Sequence, residues 1–399
     1  MKKGFFSPEA FTTKTRIPTI PRCGKCGLYK TCHSPKMPVT GKGRKKILII
    51  AEAPGEKEDL QGVQLIGQSG QFLRRSLRHI GISLDQDCWK TNAVLCKPPD
   101  NEGPNNLQIE ACRPNLKKTI DDLKPNVIIP LGGIATNAVL SLTWKDSDQS
   151  ITKWAGWQIP CTEPNVWIMP TYHPAFMLRA QDDLLLKMFE THLKAAKKKS
   201  KPWKKAPNYK SQIEIIMDPR QAAKRIKQYI KDGGTIAFDY ETNMLKPDYK
   251  EAEIVSCSIC WKGKETIAYP WQAEAVTATK AIIKANNPKI ASNLKFETRW
   301  TKAILKCSVQ NWFWDTMIAA HVLDNRSGIT SIKFQSFVLI GAPVYDSHIS
   351  PYLKSEKGSQ KNRIHELDPK DLLLYNGLDS LLEYKVAVKQ IKMLKERNK

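Results

Sequence analysis

The chain has 399 residues, a formal charge of +24 and ten cysteines, with an isoelectric point near 9.5. That length suits two domains; the sequence has no run of eighteen apolar residues to span a membrane, and its start, Met-Lys-Lys-Gly-Phe-Phe-Ser-Pro-Glu, lacks the apolar core of a secretion signal. The charge favours a polyanionic partner, with nucleic acid ahead of a membrane surface because no basic amphipathic helix carries a long apolar face. The expected location is intracellular and cytoplasmic, where cysteines serve as ligands or buried thiols rather than disulfides.

Residues 1–22 read as an irregular lead-in, followed by Cys23-Gly-Lys-Cys26 and then Cys32. A C-x-x-C lets two thiolates turn onto one metal. The Gly-Lys-Gly-Arg-Lys-Lys run at 41–46 is either a phosphate contact or a solvated loop. Ile47–Ile50 is an apolar run of the kind that makes a buried parallel strand. Ala51 to Gly55 breaks it and leaves Glu52 at the strand's carboxyl end, the edge where open α/β sheets bind ligands. Alone, Glu52 is either a reactive group or an ordinary loop charge.

The glycine-rich stretch Gly62–Gly70 opens a helix, Gln71–Ile80, with Phe72, Leu77 and Ile80 inside and Arg74, Arg75 and Arg78 outside. Backbone N–H groups at such a start can meet a phosphate, although no Gly-Lys-Ser/Thr ends it as in a P-loop. Trp89–Cys96 reads as a second strand carrying Asn92. Leu107–Leu123 is a helix containing Cys112, Asn126–Leu131 a third strand, Ile134–Leu142 a helix and Val166–Met169 a fourth strand. His173-Pro174 lies just beyond that strand, and a helix runs from Pro174 into the lysine-rich 190s. Strands alternating with helices predict an α/β domain of three αβα layers on a parallel sheet over residues 1–193, with Glu52, Asn92 and His173 converging on one edge. Residues 194–210 read as a basic linker.

The second domain, 211–399, starts with a strand, Thr235–Tyr240, ending in Asp239-Tyr-Glu241-Thr. Alternating runs at Ile254–Trp261 and Lys264–Tyr269 predict antiparallel neighbours. A short strand, Lys289–Ser292, leads through Asn293-Leu-Lys-Phe-Glu297 into a helix. From Asp315 the pattern is helical, ending in Tyr375-Asn-Gly-Leu-Asp379 on a long basic helix. A mixed sheet followed by helices fits an α+β, ribonuclease-H-like unit.

Cys96 and Cys112 are separated by fifteen residues, and with Cys23 and Cys26 they could form a four-thiolate site for zinc or an iron–sulfur cluster. Cys88, Cys161, Cys257, Cys260 and Cys307 read as buried hydrophobes. Cys257 and Cys260 lie in a strand, where their side chains face opposite ways, so they are no metal pair.

The Cys-x-x-Cys, then Glu52-Ala-Pro-Gly-Glu-Lys-Glu-Asp59, Asn92-Ala-Val-Leu-Cys-Lys-Pro-Pro-Asp-Asn101, Cys112 and Tyr172-His-Pro-Ala-Phe-Met-Leu-Arg179 resemble the family-4 uracil-DNA glycosylases. The resemblance implies that Cys23, Cys26, Cys96 and Cys112 hold a four-iron four-sulfur cluster, with no place for Cys32. It implies that Glu52 polarises water or steadies a cationic sugar, that Asn92 reads a flipped uracil, and that His173 stabilises the departing base. Gly55, Asp59 and Leu65 complete the implied substrate-binding set. Such chemistry suits a carboxylate opposite an imidazole donor, in a closed pocket that takes the base out of the stack. Leu65 stands where the family usually has a phenylalanine, so stacking worth about 1–3 kcal/mol is missing. This implies weak activity, altered specificity or an inactive uracil reader.

Asp239 and Glu241, the Asn-Leu-Lys-Phe-Glu297 stretch, Asp315-Thr-Met, and Tyr375-x-x-x-Asp379 resemble the 3′–5′ proofreading exonuclease of DNA polymerase I-type enzymes. The resemblance implies two magnesium or manganese ions held by Asp239, Glu241, Glu297 and Asp379, with Tyr375 orienting the water. Glu297 is one methylene longer than the expected Asp. Some bacteriophage polymerases carry a glycosylase-like domain ahead of the exonuclease. The expected protein is therefore the front part of a split polymerase, acting on uracil-containing DNA and single-stranded 3′ ends. It would bind a separate polymerase subunit, in the host cytoplasm if of phage origin. The alternatives are a non-catalytic uracil- or template-binding module with an exonuclease, and a stand-alone repair nuclease.

Overall fold

The structure is a computed structural model that describes residues 23–144, 150–199, 201–204, 206–355 and 360–397. The lead-in at 1–22 lies outside the described residues. Two compact units are present, the first built on residues 23–142, 150–156 and 168–202, the second on 203–397 with the short segment 157–167.

The first unit centres on β1 (Ile47–Ala51), buried along its whole length. It pairs in parallel with β2 (Cys88–Asn92) and β3 (Val127–Pro130). The segment 157–168 contributes β4 (Ile159–Cys161) and β5 (Val166–Ile168) to this sheet, whose order is β2-β1-β3-β5-β4. Continuous apolar runs fit such strands because helices cover both faces of a parallel sheet. The helices are α1 (Glu56–Gln61), α2 (Gln68–His79), α3 (Leu84–Asp87), α4 (Asn106–Leu123), α5 (Gly132–Leu140), α6 (Ile151–Trp154), α7 (Pro174–Ala180) and α8 (Asp183–Lys197).

Local chemistry sets the boundaries. Asn105 and Gln108 form a reciprocal capping box at the start of α4. The single helix expected after Pro174 is two, because Gln181 turns left-handed at φ 47° and Asp182 caps α8 through the Leu184 and Leu185 amides. α8 runs to Lys197, so the first lysines of the basic stretch are helical. β2 is shorter than expected and stops at Asn92. Arg74, expected outside, is half-buried and bridges to Asp85, which also holds the buried Lys90 at 2.7 Å; the two cations pull the Asp85 carboxyl down to about 2.

The second sheet has the order β11-β10-β7-β8-β9-β6. Its strands are β6 (Ile213–Ile215), β7 (Ile236–Thr242), β8 (Ile254–Trp261), β9 (Glu265–Pro270), β10 (Lys289–Ala291) and β11 (Trp312–Asp315). β7, β8 and β9 form an antiparallel meander, while β10 and β11 add in parallel beyond β7. On one face lie α9 (Pro219–Asp232) and α10 (Ala273–Lys284), packing Ile226, Tyr229, Ala278 and Ile282 on Phe238 and Cys257. On the other lies α15 (Pro369–Arg397), whose Leu378, Leu381 and Leu382 cluster with Ala237 and Cys260. Cys257 and Cys260 thus fall on opposite faces, as strand alternation requires. α11 (Leu294–Trp300), α12 (Thr316–Leu323), α13 (Ile332–Ile340) and α14 (Ser350–Leu353) complete the unit. The edge strands β6 and β11, three and four residues long, are too short to show a periodicity.

Candidate active sites

In the first unit, Ala51 and Asn92 are paired residues at the carboxyl ends of β1 and β2, so Glu52 leaves the sheet beside Asn92. An isolated bridge, Leu131 to Thr171, brings the segment before His173 to the end of β3. Gly132 there has φ 81°, and a Cβ on it would stand 3.0 Å from the His173 Cβ. A side chain would push the histidine away. Three strand ends therefore present Glu52, Asn92 and His173 at one sheet edge.

Each group is electrostatically tuned. Burial pushes the Glu52 carboxyl up, and Gly103 comes close enough that a Cβ would sit 3.1 Å from its Oε1. The Asn92 Nδ2 is buried and has no hydrogen-bond partner among the described residues. Such an orphan donor costs about 1–3 kcal/mol until a ligand acceptor meets it. His173 is held neutral: burial, helped by Arg179, lowers it to about 4. Its Nδ1 accepts the Ala175 amide at 3.2 Å, leaving Nε2 as the N–H donor.

The glycine-rich loop is fixed from both sides. Glu58 Oε1 accepts the Ile66 and Gly67 amides at 3.1 and 2.9 Å, and Gly55 leaves room for that carboxylate, since a Cβ there would lie 2.8 Å from Oε2. Gln64 is fully buried, donating to the Pro38 carbonyl and accepting from Thr40. Leu65 is buried in the left-handed region at φ 57°, a strained setting for a branched residue. Gly70 permits it: a Cβ there would overlap the Leu65 carbonyl carbon at 2.1 Å.

Asp59, expected in the substrate-binding set, is turned toward the cysteine segment. It is 2% exposed, and its two oxygens accept the His33 and Ser34 amides at 2.9 Å each. Both acceptors are thus committed to holding the cysteine segment.

Cys23, Cys26, Cys96 and Cys112 line one small cavity with Gly24, Tyr29 and Lys36. Backbone amides aim at two of the sulfurs, Lys36 N at Cys96 (3.2 Å) and Leu95 N at Cys112 (3.4 Å), and Asn115 Nδ2 reaches Cys112 at 3.6 Å. Burial raises the Cys96 and Cys112 thiols, so thiolates there need a cationic centre. Four sulfurs around one space with N–H donors behind them fit a cluster of metal and sulfide. Cys32 is not among the cavity's lining residues.

In the second unit, Asp239 and Glu241 leave β7 on the side where Asp379 arrives on α15, and ligand oxygens of the three lie within 4.8 Å of one another. Burial raises all three carboxyls, and the charge of Asp379 adds to it at Asp239 and Glu241. Asn376 Nδ2 donates to Asp239 Oδ2 at 2.7 Å, and Tyr345 donates to Asp379 Oδ1. Tyr375 is 6% exposed, and its hydroxyl helps to lower the Asp379 carboxyl against the effect of burial. Lys333 Nζ bridges to Asp346 at 2.9 Å and lies 5.3 Å over the Tyr375 ring. Glu297 stands outside the triad. It is carried on α11, whose start is fixed by Asp315 accepting the Asn293 and Leu294 amides, and its carboxylate faces Asp239 and Asp315.

Sequence reasoning missed Asn376, Lys333, Tyr345 and Glu383. Asn376 and Glu383 had a signal: the first follows Tyr375 directly, and the second is one helical turn after Asp379. Lys333 and Tyr345 had none, since only the tertiary fold brings α13 and its following loop to α15.

Two hydrolytic sites in a strongly basic chain define a hydrolase that acts on DNA. A family model described as the Uracil DNA glycosylase superfamily matches residues 38–205, and one described as 3'-5' exonuclease matches 213–341. A type-4 uracil-DNA glycosylase of Pyrobaculum aerophilum is 37% identical over 163 residues, 40% of this chain and 81% of the relative. That of Saccharolobus solfataricus is 34% identical over 163 residues, 40% and 74%. A DNA polymerase of Bacillus phage SP01 is 24% identical over 397 residues, 90% of this chain, which spans only 41% of that polymerase. The chain belongs to the type-4 uracil-DNA glycosylase family and carries a 3′–5′ exonuclease domain behind the glycosylase domain. No helix among the described residues is long and apolar enough to cross a membrane.

Proposed function

We propose that this protein excises uracil from DNA in its first domain and trims 3′ ends in its second, as the front portion of a replicative polymerase whose polymerizing part it binds. The observation that carries the reading is the buried, unpartnered Asn92 amide beside Glu52 and His173. A carbonyl oxygen on the edge of uracil satisfies that donor, whereas the amino group of cytosine would leave two donors facing each other. Glu52, once ionised, orients water and balances positive charge on the sugar. The neutral His173 donates its Nε2 proton as a hydrogen bond to the oxygen of the departing base. Positive charge on the Lys/Arg-rich surface holds the DNA backbone.

Cys23, Cys26, Cys96 and Cys112 would hold a four-iron four-sulfur cluster. Its contribution is structural, tying residues 23–36 to the end of β2 and to α4. Asp239, Glu241 and Asp379 would hold divalent cations that activate water and balance charge on the leaving 3′ oxygen. Tyr375 orients that water, and Asn376 fixes the Asp239 carboxylate.

The deciding experiment is alkali cleavage of a uracil-containing oligonucleotide after incubation with wild type or Glu52→Ala, beside 3′ digestion of single-stranded DNA by wild type or Asp239→Ala. Excision lost in the first variant and digestion lost in the second support the reading. Tight uracil binding without excision by wild type would favour a non-catalytic reader instead. Co-purification with a polymerase from the same source tests the partner.

A further inference from the structure

Two buried acidic oxygens in the second unit have no use in the mechanism above. Glu297 Oε2 and Glu383 Oε2 are both buried and neither has a hydrogen-bond partner among the described residues. Each residue is 1% exposed. Glu297 comes from α11 and Glu383 from α15, and the charge of Glu297 is among those felt at Glu383. Glu383 lies one turn beyond Asp379, which lies one turn beyond Tyr375, giving a single stripe aimed at the sheet end. Its Oε1 accepts the Ser292 amide at 3.1 Å, which fixes the direction of Oε2. The charged groups that weigh most on Glu383 are all carboxylates, Asp239, Glu297 and Asp379. The half-buried Lys333 is taken by Asp346 and faces Asp379 and Glu241. Two unpartnered carboxylate oxygens in protein interior call for a positive ligand.

We propose that Glu383 is a further metal-binding carboxylate of the exonuclease, forming with Glu297 the position of a second divalent cation beside the one at Asp239, Glu241 and Asp379. The ligand class is a hard, oxygen-seeking cation, Mg²⁺ or Mn²⁺. Glu297 is longer than the aspartate that the resemblance leads one to expect, and a facing glutamate supplies the second oxygen donor for an ion displaced by that length. The proposal rests on the reading that the triad holds a divalent cation.

The test is Mn²⁺ titration of the chelator-treated full chain, read by calorimetry and by the electron paramagnetic resonance signal of free Mn²⁺. Wild type is expected to take up two ions, of which Asp239→Ala loses the one at the triad. Glu383→Gln should keep one ion at wild-type affinity and bind the other about 10–100-fold more weakly, with Glu297→Gln alike and the double variant no worse than either. Unchanged affinity for both ions in Glu383→Gln would overturn the proposal while leaving the triad standing. Unchanged binding in Asp239→Ala would sink the triad reading itself. Thermal melting in chelator separates a structural role: removal of an unpaired charge should leave Glu383→Gln melting no lower than wild type. A lower melting point with Mn²⁺ binding intact would mark Glu383 as a cap of Ser292 only and overturn the proposal. Should Glu383→Gln not fold, Glu383→Asp gives the same readings, with weakened second-ion binding expected and unchanged binding overturning it.

Discussion

The Nδ1 of His173 accepts the amide proton of Ala175 at 3.2 Å. A ring nitrogen that accepts carries no proton, so the neutral imidazole keeps its proton on Nε2. Burial holds the ring neutral down to about 4, while burial raises the opposing Glu52 carboxyl above its ordinary 4.5. Glu52 is therefore the first of the pair to change charge on acidification. Single-turnover uracil excision is expected to be flat near neutrality and to fall as pH drops through the raised Glu52 value, above 4.5. His173→Ala should lower the plateau about 10²–10³-fold. A rate that stays level down to pH 4 would remove Glu52 from the mechanism.

Leu65 sits left-handed and buried where an aromatic wall is expected. Leu65→Phe should raise uracil affinity by about 1–3 kcal/mol of stacking, roughly 5- to 150-fold. Its converse is Gly70→Ala, whose Cβ would overlap the Leu65 carbonyl and must move the loop. Excision by Gly70→Ala should drop and the melting temperature of the first domain with it, both measurable on one preparation. A Gly70→Ala protein with wild-type kinetics would show that the loop does not shape the pocket.

Much of this was readable before any coordinates. The apolar run Ile47–Ile50 placed Glu52 because parallel strands are apolar on both faces, and the β8 boundaries were explicit in its alternation. The end of β2 at Asn92 was not, since Ala93, Val94 and Leu95 continue the apolar run and are equally buried while leaving the strand. The partners of Asp59 were not legible either, since only the fold turns it toward the His33 and Ser34 amides. The Gln64 contacts to Pro38 and Thr40 span too great a sequence separation for any local pattern to show.

Asn376 donates to Asp239 Oδ2 at 2.7 Å while its own Oδ1 accepts from Ser256 at 3.1 Å. The amide therefore sets the Asp239 carboxylate against the sheet. Asn376→Ala should cost about 1–3 kcal/mol of stability, as expected when buried partners are left unpaired. It should also lower exonuclease activity about 10–100-fold at limiting Mg²⁺, with partial recovery at high Mg²⁺. Activity unchanged across the metal titration would reduce Asn376 to packing.

The carboxyls of Asp239, Glu241, Glu297 and Glu383 are raised well above their ordinary values by burial and by one another. Without metal they keep their protons to higher pH when folded than when unfolded. Their contribution to stability is thus fully present below the ordinary carboxylate range and lost as pH rises through the raised values. A divalent cation reverses this by favouring the ionised folded form. The melting temperature of the chelator-treated protein should fall between pH 5 and 8, and the gain on adding Mg²⁺ should grow over the same interval. At 100 times the dissociation constant the gain is about 2.7 kcal/mol, or roughly 5–10 °C for a domain of this size. Asp239→Asn removes one of the repelling charges, so it should melt higher than wild type in chelator at pH 8 and gain little from Mg²⁺. Differential scanning calorimetry at three pH values checks both limbs, and a Mg²⁺ gain that is independent of pH would contradict the shifted carboxyls.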